Sequence, residues 1–171
     1  EQYIKDLDSI GVDAIIVQDL AVAEIAKRVA PNIHLHGSTQ MTAATLDAVR
    51  FYESLGFTRV VLARELSLKE IQHICRHCKA EIEVFVHGAL CVCYSGQCLM
   101  SSFIDGRSGN RGACAQPCRL PYELLDSKGE SVLPKHEAYL LSPKDLNYSE
   151  HMNELVAAGV TSFKVEGGMK K

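Results

Sequence analysis

The strongest constraint on the fold is a strand–helix alternation that recurs about every 22 to 25 residues. Residues 1–11 read as the end of a helix, with Ile4, Leu7 and Ile10 at helical spacing and Gly11 as its stop. A continuous apolar strand follows at 14–19, then a helix at 21–30 closed by Pro31. The unit repeats as strand 33–38 with helix 42–55, and as strand 59–66 with a helix that Ser67 and Glu70 open as a capping box. A fourth strand is predicted at 81–88. Beyond a cysteine-rich stretch come a strand at 137–143, a helix beginning at Asp145 or Ser149, and a last strand at 161–167. Lys128 and Gly129 mark a turn between two short strands. Such alternation requires crossovers and a parallel sheet. Neither a dinucleotide glycine fingerprint nor a Walker loop is present, so a (β/α) barrel accounts for the pattern better than a doubly wound sheet. An eight-stranded barrel takes about 250 residues, so a chain of 171 predicts a partial TIM-type barrel. The reading is one α/β domain over 1–171, with a cysteine-rich insert at 89–136.

Composition narrows the function by exclusion. The net charge of −3 gives no global attraction to nucleic acid or anionic lipid. No apolar run approaches the roughly 20 residues of a membrane span. The chain opens on Glu1 rather than Met, so the lack of a signal peptide carries little weight and a fragment is expected. Seven cysteines within an α/β pattern are too many and too uneven for a secreted disulfide framework. They predict a reducing, cytoplasmic setting and a metal or cluster site.

In (β/α) barrels chemistry sits at the carboxyl ends of the strands. Those ends carry Asp19, then His36 with Ser38, Thr39 and Gln40, then Arg64 and Glu65, His87, then Ser142, Lys144 and Asp145, and finally Lys164 and Glu166. Arg64 is a natural fork for a carboxylate or phosphate. His36 and His87 are candidate proton carriers, although a lone histidine often serves only as a structural hydrogen-bonding group. Lys164 and Glu166 alternate on a strand, share one side and can pair with each other. The candidate catalytic set is Arg64, His36, His87, Lys164 and Glu166.

Five cysteines fall between Glu83 and Arg119. Four thiolates can hold a tetrahedral zinc ion or an iron–sulfur cluster. Cys91 and Cys98 are separated by six residues, Cys98 and Cys114 by fifteen, and Cys114 and Cys118 by three. These gaps suit a cluster wrapped by loops better than paired zinc knuckles, with Gly96, Gly106, Gly109 and Gly112 admitting backbone close to the sulfurs. Cys91, Cys98, Cys114 and Cys118 are therefore the candidate cofactor and metal ligands, with a 4Fe-4S cluster favoured and zinc as the alternative. Cys93 is a spare thiol. Cys75 and Cys78 form C-x2-C on an amphipathic helix, where core thiols are the simpler reading. Arg107, Arg111 and Arg119 could receive an anionic substrate or an RNA backbone, although three arginines make a weak patch and a solvated loop is the default; Tyr94, Phe103 and Tyr122 could stack bases or equally be core.

The stretch EVFVHGALCVCYSGQCLMS resembles the signature of peptidase family U32, the collagenase-like proteases. Glu83, Phe85, Gly88, Ala89, Leu90, Cys91, Gly96, Cys98, Met100 and Ser101 match its pattern, and LHGSTQ, RGACAQPCR, LLSPKDL and KVEG also look like the family. The resemblance implies an incomplete barrel excised from a longer protein. It implies either proteolysis, as the family name says, or the oxygen-independent hydroxylation of RNA or ubiquinone precursors associated with iron–sulfur relatives. It further implies that Cys91, Cys98, Cys114 and Cys118 hold the cluster, and that transfer or ribosomal RNA and a dicarboxylate such as prephenate are partners; that such a dicarboxylate would suit Arg64 is read from the arginine itself. Asn147 stands where some relatives have a cysteine, and Gly168 where the family has arginine. For a peptidase, Cys91 and His87 would be nucleophile and base, since no G-x-S-x-G or H-E-x-x-H occurs. A third reading is a non-catalytic, zinc-stabilised assembly partner.

Overall fold

The computed structural model describes residues 1–134 and 137–167. Three of its helices start where side chains satisfy the orphan N–H groups of the first turn. Asp19 accepts from the amides of Ala21 and Val22 and opens α2 (Leu20–Val29). Thr45 accepts from Ala48 and opens α3 (Leu46–Ser54). Ser67 and Glu70 form the predicted capping box of α4 (Leu68–His77). The remaining helices are α1 (Gln2–Ser9), α5 (Met100–Asp105) and α6 (Met152–Ala158).

Five strands lie parallel and side by side: β1 (Ala14–Val17), β2 (His34–Gly37), β3 (Phe57–Val61), β4 (Glu81–Gly88) and β6 (Ser162–Glu166), the last paired directly with β4. A two-residue strand, β5 (Leu146–Asn147), meets the end of β4 antiparallel. Among the described residues the outer strands β1 and β6 do not pair with each other.

Strand alternation sorts side chains between two faces. Val17, Leu35, Val60, Ile82 and Val84 point to one face and form a single core with Ala23 and Ala26 of α2, Val49 of α3, Ile71 and Ile74 of α4, and Leu155 of α6. A doubly wound sheet needs helices on both faces. Here the opposite face carries Ile16, His36, Arg59, Glu83, Phe85 and Lys164, and Ile16 is 56% exposed.

Three predicted elements differ. The helix expected at 42–55 begins only at Leu46, because Thr39–Met41 form a 3-10 turn and Thr42 adopts φ 57°. The strand expected to run to residue 66 ends at Val61. From there the chain leaves the ladder, and the amide of Ala63 donates to Ala43 O at 3.0 Å. Arg64 and Glu65 therefore sit on a loop. The strand expected at 137–143 is absent. Its backbone is drawn elsewhere: Tyr122 N donates to Ala138 O at 2.7 Å, and Tyr139 is left 62% exposed. The predicted end of the cysteine insert, residue 136, lies outside the described residues, as does Gly168. The turn at Lys128–Gly129 is present, flanked by an antiparallel Leu125–Ser131 bridge.

Candidate active site

The chain leaves β4 through Gly88 and wanders for more than fifty residues before β5, and this connection carries five cysteines. What fixes it is a set of polar contacts to the loops after β2 and β3. Ser95, with no exposed surface, receives Glu65: its amide donates to Glu65 Oε1 at 2.9 Å. The Ser95 hydroxyl meets the amide of Arg64 at 3.2 Å. Thr42 Oγ1 donates to Ser95 O at 2.8 Å, Asn110 Nδ2 to Gly96 O at 3.2 Å, and Gln40 Nε2 to Gly109 O at 3.2 Å.

Gly96 sits at the tightest point of this junction. Its φ is +80°, and a Cβ there would lie 2.3 Å from Gln40 O and 2.7 Å from Thr42 Oγ1. Gly96→Ala is therefore expected to undock the cysteine loop while the sheet persists. Limited proteolysis should show faster cleavage within 89–116 and unchanged protection of β1–β4; unchanged cleavage of the loop would refute this role. Gly109 lies against Cys114, with a Cβ there 3.6 Å from the cysteine Cβ. Gly106 and Gly112 have nothing within 4 Å of such a Cβ and serve as left-handed helix ends instead.

The docked loop and the open sheet face enclose a cleft of about 630 Å³. Arg64, Phe85, Cys91, Cys114, Cys118 and Glu166 all line it. Arg64 is the most constrained group: its side chain is only 7% exposed. Nη2 pairs with Glu166 Oε2 at 3.0 Å, Nη1 lies 3.9 Å from Cys91 Sγ, and the guanidinium carbon stacks 3.9 Å from the Phe85 ring centroid. Among the described residues its buried Nε–H has no hydrogen-bond partner.

Below this pair lies a second one. Glu83, with a side chain 10% exposed, faces Lys164 Nζ at 3.2 Å and Arg59 Nη1 at 3.6 Å, and accepts from Ser162 Oγ at 2.8 Å. Lys164 and Glu166 thus do not pair with each other, as their spacing allowed; each has its own partner across the sheet.

The two histidines stand apart from the cleft lining. His36 lies on β2 in register with Arg59. Burial holds its pKa below the usual histidine range, and the Arg59 charge adds to this. A histidine kept neutral by folding costs stability once the unfolded chain takes up its proton. The unfolding free energy should thus be level above about pH 6.5 and decline as pH falls through that value. His36→Gln should remove part of that decline in urea titrations at pH 5 and pH 7.5, and an identical decline would refute the assignment. His87 is exposed at the end of β4 and forms no side-chain hydrogen bond among the described residues, so the geometry does not assemble a Cys91–His87 pair.

The four candidate ligand thiols occupy one neighbourhood. Burial pushes the Cys91 thiol up; Arg64 opposes this, while Cys98, Cys114 and Cys118 add to it. Cys114 Sγ accepts the amide of Gln116 at 3.3 Å, where Gln116 takes a left-handed φ of 56°. The hydroxyl of buried Ser101 receives the amide of Ala115 at 2.9 Å and holds that turn in place. Among the described residues no three His, Cys, Asp or Glu side chains gather closely enough to ligate a single metal ion. Cys93 is exposed beside Cys98, whose hydrogen bond and charge, after burial, raise its thiol pKa. Burial pushes Cys75 up to about 11, an inert core thiol.

The three arginines read as a basic rim play different parts. Arg119 is an internal clamp that reaches Ser142 Oγ at 2.9 Å, Leu90 O at 3.1 Å, Asp145 at 3.4 Å and the carbonyl of Pro143. Arg107 donates to Ala113 O at 3.0 Å. Arg111 is exposed and lines the cleft. Of the aromatics, Tyr122 donates to Pro117 O at 3.0 Å, whereas Tyr94 and Phe103 are 66% and 84% exposed. Asn147 caps a turn, accepting from Ser149 N at 3.0 Å. Lys144 is not among the cleft-lining residues. Sequence reasoning gave no role to Glu83, Phe85 or Arg59. The available signal was a carboxylate, Glu83, set among the apolar residues Ile82, Val84 and Phe85 of a strand.

A one-sided (β/α) sheet with a cysteine-bearing loop docked over its strand ends matches one family along its whole length: residues 1–171 fit peptidase family U32, and the chain belongs to it. Among curated relatives it is 48% identical over 170 residues to the 23S rRNA 5-hydroxycytidine C2501 synthase of Escherichia coli, covering 99% of this chain and 25% of that protein. It is 40% identical over 174 residues to the tRNA hydroxylation protein P1 of Bacillus subtilis, covering 99% and 41%. It is 38% identical over 167 residues to a collagenase of Porphyromonas gingivalis, covering 91% and 40%. The chain therefore spans between a quarter and about two-fifths of the length of these relatives.

Proposed function

We propose that this chain is the cysteine-bearing part of an iron–sulfur-dependent, oxygen-independent RNA hydroxylase built on a partial (β/α) barrel and working in the cytoplasm. The observation that carries the reading is the gathering of four thiols in one neighbourhood. Three of them line the cleft, and one of these, Cys91, lies against the buried Arg64 that pairs with Glu166. The donor set fits such a group. The sulfurs share one neighbourhood, and Cys114 already accepts a backbone N–H, as cluster sulfurs commonly do. Cys91, Cys98, Cys114 and Cys118 would hold the cluster, which supplies one-electron chemistry when bound.

The protein's own groups would do the rest. Arg64, held by Glu166 and Phe85, presents a fixed positive charge to an acidic co-substrate, and a dicarboxylate such as prephenate suits it. Arg111, exposed on the cleft wall, would meet RNA phosphate. The relatives named for rRNA and tRNA hydroxylation point to the same substrate class.

A collagenase among the relatives keeps peptidase chemistry as the rival. A cysteine nucleophile needs a depressed pKa and a nearby base. The side-chain contact of Cys91 is Arg64 rather than a histidine.

The test is nucleoside mass spectrometry of RNA from cells lacking the gene, complemented with the full-length protein or its Cys98→Ala variant. One hydroxylated nucleoside should return with the first and not the second. Unchanged RNA, together with cleavage of denatured collagen that Cys91→Ala abolishes, would replace this reading with the peptidase.

A further inference from the structure

We infer that Arg64 is a positioning residue that tunes the electron affinity of the cysteine site, with Glu166 as its counterweight; this rests on the cluster reading above. Arg64 is a charged side chain in direct contact with one of the four sulfurs, 3.9 Å from Cys91 Sγ. Burial makes that contact matter: at 7% exposure, the guanidinium charge is poorly screened by water.

The side chain is also held from several directions. Phe85 supports one face at 3.9 Å, Glu166 takes Nη2 at 3.0 Å, and the Arg64 backbone is tied to Ser95 in the cysteine loop itself. Among the described residues no hydrogen bond engages the buried Nε. A group bound only for structural reasons would be expected to satisfy that donor. Here the fork is instead turned so that its two terminal nitrogens lie between a thiol and a carboxylate.

Charge and hydrogen bonding at cluster sulfurs set reduction potential. Reduction adds negative charge. A fixed cation at Cys91 therefore favours the reduced state, and the Glu166 carboxylate behind it offsets part of that effect.

The experiment is a dye-mediated redox titration of the full-length, anaerobically purified protein, followed by electron paramagnetic resonance. Wild type is compared with Arg64→Gln, Arg64→Lys and Glu166→Gln, with iron per chain measured for each. Arg64→Gln should lower the midpoint potential and Arg64→Lys should lower it less, because the charge remains while the fork is lost. Glu166→Gln should raise it. If Arg64→Gln fails to fold, the Glu166→Gln shift still decides. Equal potentials at full iron loading would overturn this inference and leave the cluster reading standing. Wild-type protein without iron would overturn both.

Discussion

Gly88→Ala is expected to break the junction between β4 and β6 and to destabilise the fold by about 3 kcal/mol or more. Gly88 has φ +114°, a region closed to residues with a Cβ. The added atom would also lie 2.2 Å from Glu166 O and 2.7 Å from Glu166 Cβ. Those are backbone and near-backbone atoms of a paired strand, so no rotamer change relieves the clash. Relief means separating β6 from β4, which moves Glu166 away from Arg64 and opens the cleft floor. Gly11→Ala is the control. It too has a positive φ, +78°, but nothing lies within 4 Å of its Cβ, so only the backbone penalty of about 1 kcal/mol applies. Urea unfolding of the full-length protein should separate the two. Equal effects would mean that the close approach at Gly88 is unimportant.

Glu83→Ala should cost about 2 kcal/mol, because it strips Lys164 of its carboxylate and leaves Ser162 Oγ without its acceptor, while Arg59 keeps Glu81 at 2.6 Å. Glu83 is the shared partner of Lys164 and Arg59, and only 10% of its side chain is exposed. Lys164 has Phe85 at 5.7 Å as its remaining neighbour of note, and a cation–π contact at that distance is a weak substitute. The double variant Glu83→Met with Lys164→Met should recover part of the loss, since removing both partners spares the unpaired charge. A single-variant cost below about 1 kcal/mol, or no recovery in the double variant, would show that Glu83 acts as an ordinary surface carboxylate.

The repeating scaffold was legible because each of its parts carries a local signal. The capping box at Ser67 and Glu70, the apolar run of β1 and the helix stop at Gly11 all act within a few residues. The strand expected at 137–143 failed for the opposite reason. Its apolar side chains looked like a buried strand, yet its backbone partners and its Arg119 clamp lie some twenty residues earlier. No window of local sequence contains that competition.

The same division holds at the site. Arg64 and Glu166 could be picked out individually as polar residues at strand ends, but their pairing spans 102 positions and depends on β6 lying next to β4. His36 and His87 carried the same kind of signal and do not line the cleft, because strand register puts one beside Arg59 and the other at the β5 junction. In the sequence Gly96 reads as admitting backbone close to the sulfurs, and the structure gives it a different reason. The reason is the approach of Gln40 and Thr42 from a loop more than fifty residues away.

The most direct test of the central claim is an assay of iron, acid-labile sulfide and zinc per chain in the full-length protein, purified without oxygen. The account predicts about four irons and four sulfides, lost on changing Cys91, Cys98, Cys114 or Cys118 to Ala and retained on changing Cys75. One zinc with no iron, or cluster content indifferent to those four cysteines, would contradict it.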